Sequence, residues 1–388
     1  MTTAHTVAVL GLGRMGAAIA RRLTEQGREV VGWTRSGRSA GDIPTTDKPA
    51  DAVAGADLVL LALFDGHACR DVLDAVRDAL RPGTVVVNTS TIAPAEAEAL
   101  AQSSGPSYVH APVLGSTPAV AAGSLQVLAA GADDAFDKAR PVLEQLGNVR
   151  HVADARTAAA LKLVVNSTIA GSVLALGETL RQADALGLPR EQVLDVLELS
   201  QLGKLAAAKR PFLADPSAAA TRPAQFTIGA LTKDMDLLTA ASGAPLPSAA
   251  ALAEAPAGPH ADIAAAATAP AVDDAVLAPL RAYMRGHATG DPAHFRAAFL
   301  PTARIEGLRD GTFVSWDLDD YCALFPGHPA PDEAARTRRI DAVTVHGTVA
   351  TAAMTLRYGP ETFTDVFLLA RTDGDGWRIA SKAYHRHT

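Results

Sequence analysis

From Arg156 to Leu186 the chain has no proline, and its apolar residues fall at helical spacing: Leu161, Val164 and Val165, then Val173, Leu174 and Leu180. Gly187 and Pro189 close the run, the glycine in the usual place after a helix and the proline just beyond it. The pattern predicts one helix of roughly 30 residues, about 45 Å long. Its first half is apolar almost all round, which predicts burial there. Into that half the chain places one cation, Lys162, with Asn166 one turn later on the same face. A buried ammonium is costly unless it is compensated or sheds its proton; the alternative is a lysine snorkelling from a helix edge.

Ahead of this helix the pattern alternates between short apolar runs and amphipathic segments. Thr6 to Leu10 suits a buried parallel strand and runs into Gly11-Leu12-Gly13-Arg14-Met15-Gly16, followed by a helical segment. This is the strand, G-x-G-x-x-G, helix order of a dinucleotide-binding fold. Gly11 permits the tight turn, Gly13 lets backbone approach a pyrophosphate, and Gly16 lets helix and strand pack closely. Further strands are expected at Glu29–Thr34, Asp57–Leu63, Thr84–Asn88, Tyr108–Pro112 and Leu125–Ala130, with helices between them. Residues 1–154 therefore read as one doubly wound α/β domain of about seven strands, and 155–269 as an all-α domain.

From Asp273 the pattern changes again. Helices are expected at Ala275–Ala288, Asp291–Phe299 and Trp316–Phe325. Four strand-like runs follow, at Arg338–Val345, Thr348–Tyr358, Thr362–Arg371 and Trp377–His385. Helices first and then an antiparallel meander describe a cone-shaped α+β module over residues 270–388. Asp365, His346, Lys382, Tyr384 and His385 sit on alternating strands, facing either the inside of the cone or solvent.

Composition narrows the classes. A chain of 388 residues that is 48% hydrophobic and 20% charged can bury the cores of two or three domains. A net charge of −7 and a pI near 5.9 argue against nucleic-acid partners. Cys69 and Cys322 lie far apart with no metal-ligand spacing around them, so no metal is expected and both read as reduced thiols of a cytoplasmic protein. The N-terminus lacks the pattern of a signal peptide, and no uninterrupted apolar window reaches the roughly 18 residues of a membrane span.

The end of the second strand carries the candidate cofactor preference. An acidic residue there would bind the ribose 2′-hydroxyl. The chain instead reads Thr34-Arg35-Ser36-Gly37-Arg38, and guanidinium and hydroxyl groups suit a 2′-phosphate, so NADP is expected. Leu63 and Phe64, at the end of the third strand, are placed at the cofactor as well.

With GLGRMG at the start, NTSTIAP at 88–94, HAPVLGSTPAVAAGSLQVLAAG at 110–131, LKLVVN at 161–166 and FTIGALTKDMDLL at 226–238, the first 268 residues or so resemble the β-hydroxyacid dehydrogenase family. That family includes 3-hydroxyisobutyrate dehydrogenases and glyoxylate/succinic-semialdehyde reductases. The resemblance implies a cofactor domain followed by an all-α substrate and dimerisation domain, with the active site between them and a small carbonyl or hydroxyacid substrate. It makes Lys162 the general acid–base and Asn166 the residue that holds it or the substrate. It places Ser90 and Thr91 beside nicotinamide and substrate, has Lys233 and Asp234 close the site, and puts Phe226 in the substrate pocket. Where the family often has a serine that anchors the substrate carboxylate, this chain has Leu114, leaving the amides of Gly115 and Ser116. One lost hydrogen bond to a charged group costs roughly 1.5–3 kcal/mol, which favours a bulkier or less polar carbonyl.

LRAYMRGHATGD, RIEGLRDGTFVSW, FTDVFLLAR and DGWRIASKAYH resemble the nuclear transport factor 2-like superfamily, in its lumazine-binding branch. Two rival readings stand beside the dehydrogenase. One is an imine reductase-like enzyme, although such enzymes typically replace the lysine with Asp or Tyr. The other is a non-catalytic NADP sensor whose cone binds a ligand. A homodimer or larger homo-oligomer is expected, held partly by the helical domain and partly by the cone: the long apolar helix exceeds what a small helical domain covers, and one face of the cone's strands, with Val343, Val345, Phe363, Phe367 and Leu369, carries more apolar surface than three short helices hide.

Overall fold

In the computed structural model the described residues are 6–37, 41–215, 222–254, 258–268, 274–309, 311–359, 361–372 and 376–387. The contacts divide the chain into two compact units: Met1–Gly171 with Pro223–Phe226 and Ala230–Ala249, and Ser172–Arg222 with Thr227–Gly229 and Ala250–Thr388.

The first unit is built on an eight-stranded sheet. Its strands are β1 (Thr6–Leu10), β2 (Glu29–Trp33), β3 (Leu58–Leu61), β4 (Val85–Asn88), β5 (Tyr108–His110), β6 (Val113–Leu114), β7 (Leu125–Gly131) and β8 (Gly147–His151). They lie in the order β2-β1-β3-β4-β5-β7-β6, with β8 paired to β7. The pairings from β2 to β5 are parallel, and β7 runs antiparallel to β5 and β6. The central strands are apolar on both faces because helices cover both sides. β6 and β8 lie beyond the expected set: two residues carry no period, and β8 (GNVRH) is polar and mostly exposed.

The long helix spans Ala155–Ala185 and passes from the first unit into the second. Asp154 Oδ1 accepts from the amide of Thr157 at 2.7 Å, which caps its first turn. Ala155 and Ala159 pack into the sheet's core. The helix is apolar and long enough to cross a membrane by those two criteria, yet it also carries the buried polar residues Lys162 and Asn166. Its expected all-round burial is not observed: Leu161, Val164 and Val165 are exposed, Val164 at 53%.

The second unit contains the helices Arg190–Leu197, Gly203–Leu213 and the short Ala264–Thr268, all in the helical part. Lys209 of the helix Gly203–Leu213 makes a buried ion pair with Asp262, 2.9 Å apart. The rest is a six-stranded sheet in the order β10-β9-β14-β13-β12-β11, under helices Asp274–Thr289, Pro292–Ala298 and Leu318–Cys322. The four expected strands are β11 (Thr337–His346), β12 (Val349–Tyr358), β13 (Glu361–Thr372) and β14 (Gly376–His387). β9 (Phe299–Arg309) and β10 (Thr312–Trp316) are additional, and β9 pairs parallel to β14. Pro301 and Gly307 hide β9 in the sequence, since both weaken a strand pattern. A side chain at Gly307 would strike the Tyr384 ring, which lies across it from the paired position on β14.

Inside this sheet the polar positions resolve. Asp365 and Lys382 are buried, Tyr384 is half-buried, and His346 and His385 are exposed. Lys382 Nζ lies 3.0 Å from Asp365 Oδ2. The Tyr283 hydroxyl donates to Asp365 at 2.5 Å and accepts from Lys382 at 2.5 Å. The chain of contacts continues from Tyr321 to His287 Nε2 at 3.0 Å and from His287 Nδ1 to Tyr358 at 3.0 Å. Val343, Phe367 and Leu369, which the alternation marked as surplus apolar surface, are core residues of this unit. Exposed apolar side chains on its sheet include Leu308, Phe313, Val345, Val349, Val366 and Leu368.

Candidate active site

The glycine-rich turn sits between β1 and α1 (Arg14–Glu25). A Cβ on Gly16 would lie 1.9 Å from the Gly11 carbonyl oxygen, and Gly11 itself has φ +102° with the Ala62 carbonyl against it. Only glycine fits either position. Gly13 is the N-cap of α1, makes no side-chain cap and has open space over its Cα. The first amides of a 12-residue helix are thus left for an anion, which fits a pyrophosphate. Leu12 and Met15 point toward the apolar core, so they offer a cofactor their backbone. Arg14 is exposed.

At the end of β2, Thr34 to Gly37 turn sharply, with the Gly37 amide bonded to the Thr34 carbonyl. Thr34 and Ser36 hydroxyls lie 3.5 Å apart, and Arg35 is exposed. Arg38 lies outside the described residues.

The loops after β3 and β4 are tied together. Ser90 Oγ accepts from the Leu63 amide at 2.9 Å, and the Ser90 amide donates to Asn88 Oδ1 at 2.9 Å. Asn88 is fully buried and donates to the Tyr108 hydroxyl at 3.0 Å. Beside them is His110, buried with neither ring nitrogen hydrogen-bonded, and burial pulls its pKa down to about 3. Sequence reasoning singled out neither Asn88 nor His110; their signal was a polar residue at the end of an otherwise apolar strand.

The buried polar centre forms where the helix Ala155–Ala185 meets the helix Ile228–Ser242, within the first unit. Lys162 is 7% exposed, so it does not snorkel. Its Nζ donates to Asn166 Oδ1 at 3.0 Å, and Asn166 Nδ2 donates to Asp234 Oδ2 at 2.7 Å. Asp234 Oδ1 is 2.9 Å from Lys233 Nζ, which also donates to the Thr91 carbonyl at 2.7 Å. Lys233 Nζ sits 5.5 Å from the centroid of Phe64, a ring 63% exposed. The structure thus brings Lys162, Asn166, Asp234, Lys233, Thr91 and Phe64 into one connected set. Burial pulls the Lys162 pKa down to about 8; Asp234 opposes that shift and Lys233 adds to it.

Leu114 packs with Leu128, Ala130, Val152 and Ala158, one turn before Lys162 on the long helix. Gly115 has φ +123° and its Cβ would meet Leu125, while Ser116 is the N-cap of the short helix Thr117–Ala121. Phe226 is half-buried ahead of helix Ile228–Ser242.

A doubly wound sheet with this glycine turn defines a nicotinamide-dinucleotide-binding oxidoreductase. Residues 6–159 match the family described as the NAD binding domain of 6-phosphogluconate dehydrogenase. Residues 271–385 match the family described as "Putative lumazine-binding". Over 201 residues the chain is 34% identical to a probable 3-hydroxyisobutyrate dehydrogenase of Mycobacterium tuberculosis, covering 50% of this chain and 68% of that protein. It is 31% identical over 214 residues to an NAD-dependent L-serine dehydrogenase of Pseudomonas aeruginosa, covering 52% of this chain and 71% of the relative. The solved structure of Mycobacterium tuberculosis 3-hydroxyisobutyrate dehydrogenase with L-serine is 29% identical and covers 69% of this chain and 99% of that one, with a TM-score of 0.56. The protein belongs to the 3-hydroxyisobutyrate dehydrogenase family, and behind that part it carries an α+β domain that matches the lumazine-binding description.

Proposed function

We propose that the protein transfers a hydride between NADP(H) and a hydroxyacid- or aldehyde-type substrate, at the hydroxyl-bearing carbon of the one or the carbonyl carbon of the other, with Lys162 as the general acid–base. The observation that carries this reading is the buried Lys162, whose pKa is drawn down to about 8 and whose Nζ is held by Asn166. The nicotinamide supplies or takes up the hydride. The chain's part is the proton: reduction leaves negative charge on the substrate oxygen, and an ammonium poised near neutral pH neutralises it. In the oxidative direction the neutral amine takes the hydroxyl proton. Gly13 and the first amides of α1 hold the pyrophosphate; Thr91 and Phe64 bound the nicotinamide side, braced by Lys233. Leu114 adds apolar surface where a hydroxyl would favour a small polar acid, so a substrate with an apolar arm is the better fit.

The cofactor preference rests on Arg35 and Ser36 at the end of β2, with no acidic side chain from Thr34 to Gly37. NADPH is expected to bind at least tenfold more tightly than NADH, about 1.4 kcal/mol, which one or two charged hydrogen bonds supply. Calorimetry with both cofactors checks this. Equal affinities, or an Arg35→Ala variant that keeps the full preference, would overturn it.

We also propose that a second copy of the chain covers Leu161, Val164 and Val165, three exposed apolar side chains on one turn of the long helix. Light scattering at micromolar concentration is expected to give at least a dimer, and Val164→Asp to shift it toward monomer. A monomeric native protein counts against this.

A further inference from the structure

The Asp234 carboxylate is buried and has one partner on each oxygen, Lys233 on Oδ1 and Asn166 on Oδ2. An ionised carboxylate only accepts hydrogen bonds, and an amide side chain has one donating end and one accepting end. The Nδ2 end of Asn166 is therefore committed to Asp234. Its carbonyl end is left facing Lys162, which donates to it at 3.0 Å. Were the amide turned over, its NH₂ would face the ammonium, donor against donor, and Lys162 would lose the contact that aims it.

We propose that Asp234 is a positioning residue rather than a substrate ligand: through Asn166 it fixes the direction of Lys162, and through Lys233 it ties the same centre to the backbone of Thr91. The proposal deepens the reading of Lys162 as acid–base and rests on it. Two further facts favour it. Both carboxylate oxygens are already engaged inside the protein. A negative side chain would also repel the carboxylate of a hydroxyacid. Asp234 and Lys233, the two charged groups that act on Lys162, lie on the same helix and act in opposite directions.

The test is a titration of Lys162 in the full-length protein, carrying ¹³C at lysine Cε and followed by NMR, with Lys162→Met assigning the resonance. The native midpoint is expected near 8. Asp234→Asn is expected to lower it by about one unit, a tenfold loss of proton affinity, and Lys233→Gln to raise it. Asp234→Glu, which keeps the charge, moves the midpoint back toward the native value. Opposite shifts from adjacent substitutions are not produced by general loosening of the fold. An unmoved midpoint in Asp234→Asn, or shifts of the same sign in both variants, overturns the proposal. The pH dependence of turnover is measured on the same variants. If the midpoints move and turnover does not follow, the acid–base reading of Lys162 fails while the positioning by Asp234 stands.

Discussion

Lys162→Ala is expected to lower turnover by roughly 10²–10⁴-fold while leaving NADPH affinity close to native. Lys162 is buried against Asn166, and its polar contact is within the Asn166–Asp234–Lys233 set rather than at the glycine turn of β1 and α1. Its loss therefore removes the proton donor without disturbing the pyrophosphate cradle. The substitution leaves Asn166 Oδ1 without its donor, a cost of about 1–3 kcal/mol, but it also removes a buried cation, so the fold should survive. The measurement is NADPH oxidation against a panel of aldehydes and keto acids, alongside cofactor binding. A variant that keeps more than a tenth of native turnover shows that another group handles the proton. A native protein inert to the whole panel, yet binding NADPH tightly, would favour a sensor over an enzyme.

The second large effect is expected in the fused domain. Asp365→Ala should destabilise it by roughly 3–5 kcal/mol, because Lys382 is then buried without its counter-charge. The effect is set by geometry: the pair is 3.0 Å apart, both members are buried, and Tyr283 bonds to each. Burial already lowers the Lys382 pKa and Asp365 raises it again. Without Asp365 the folded-state pKa falls further below the unfolded value, so stability rises as pH increases through that window. Alkaline pH should thus recover part of the loss. Replacing both members, Asp365→Leu with Lys382→Met, is expected to cost less than Asp365→Ala, because no charge stays buried alone; the residual loss, about 1–3 kcal/mol, comes from the Tyr283 hydroxyl, which loses both of these partners. Denaturant unfolding read by Trp316 and Trp377, with Trp33 reporting on the first unit, follows both variants beside the native protein. A loss below about 1 kcal/mol in Asp365→Ala would show that the ion pair does not hold this core.

Much of this was present in local pattern. Three glycines at fixed spacing, between an apolar run and an amphipathic one, need backbone positions that the strand–turn–helix unit alone supplies. Gly11 and Gly16 occupy them with no room for a side chain. The long helix followed from uninterrupted 3.6-residue spacing and the glycine–proline stop, and its observed ends differ by one residue from the expected ones. β9 was not legible, because Pro301 and Gly307 read as breaks, and pairing with the neighbouring β10 and the distant β14 makes the segment a strand.

What the tertiary structure decided is which side of each pattern is covered, and by what. Period-2 alternation says that Asp365 and Val366 point opposite ways, but not that helix Asp274–Thr289 brings Tyr283 over Asp365 and leaves Val366 exposed. Helical spacing places Lys162 and Asn166 on one face. It says nothing of the carboxylate 68 residues away that turns the amide between them. Local sequence sets period and chain geometry through sterics and backbone hydrogen bonds. Burial, charge pairing and the resulting proton affinities are properties of neighbours in space, and those exist only once the chain has closed on itself.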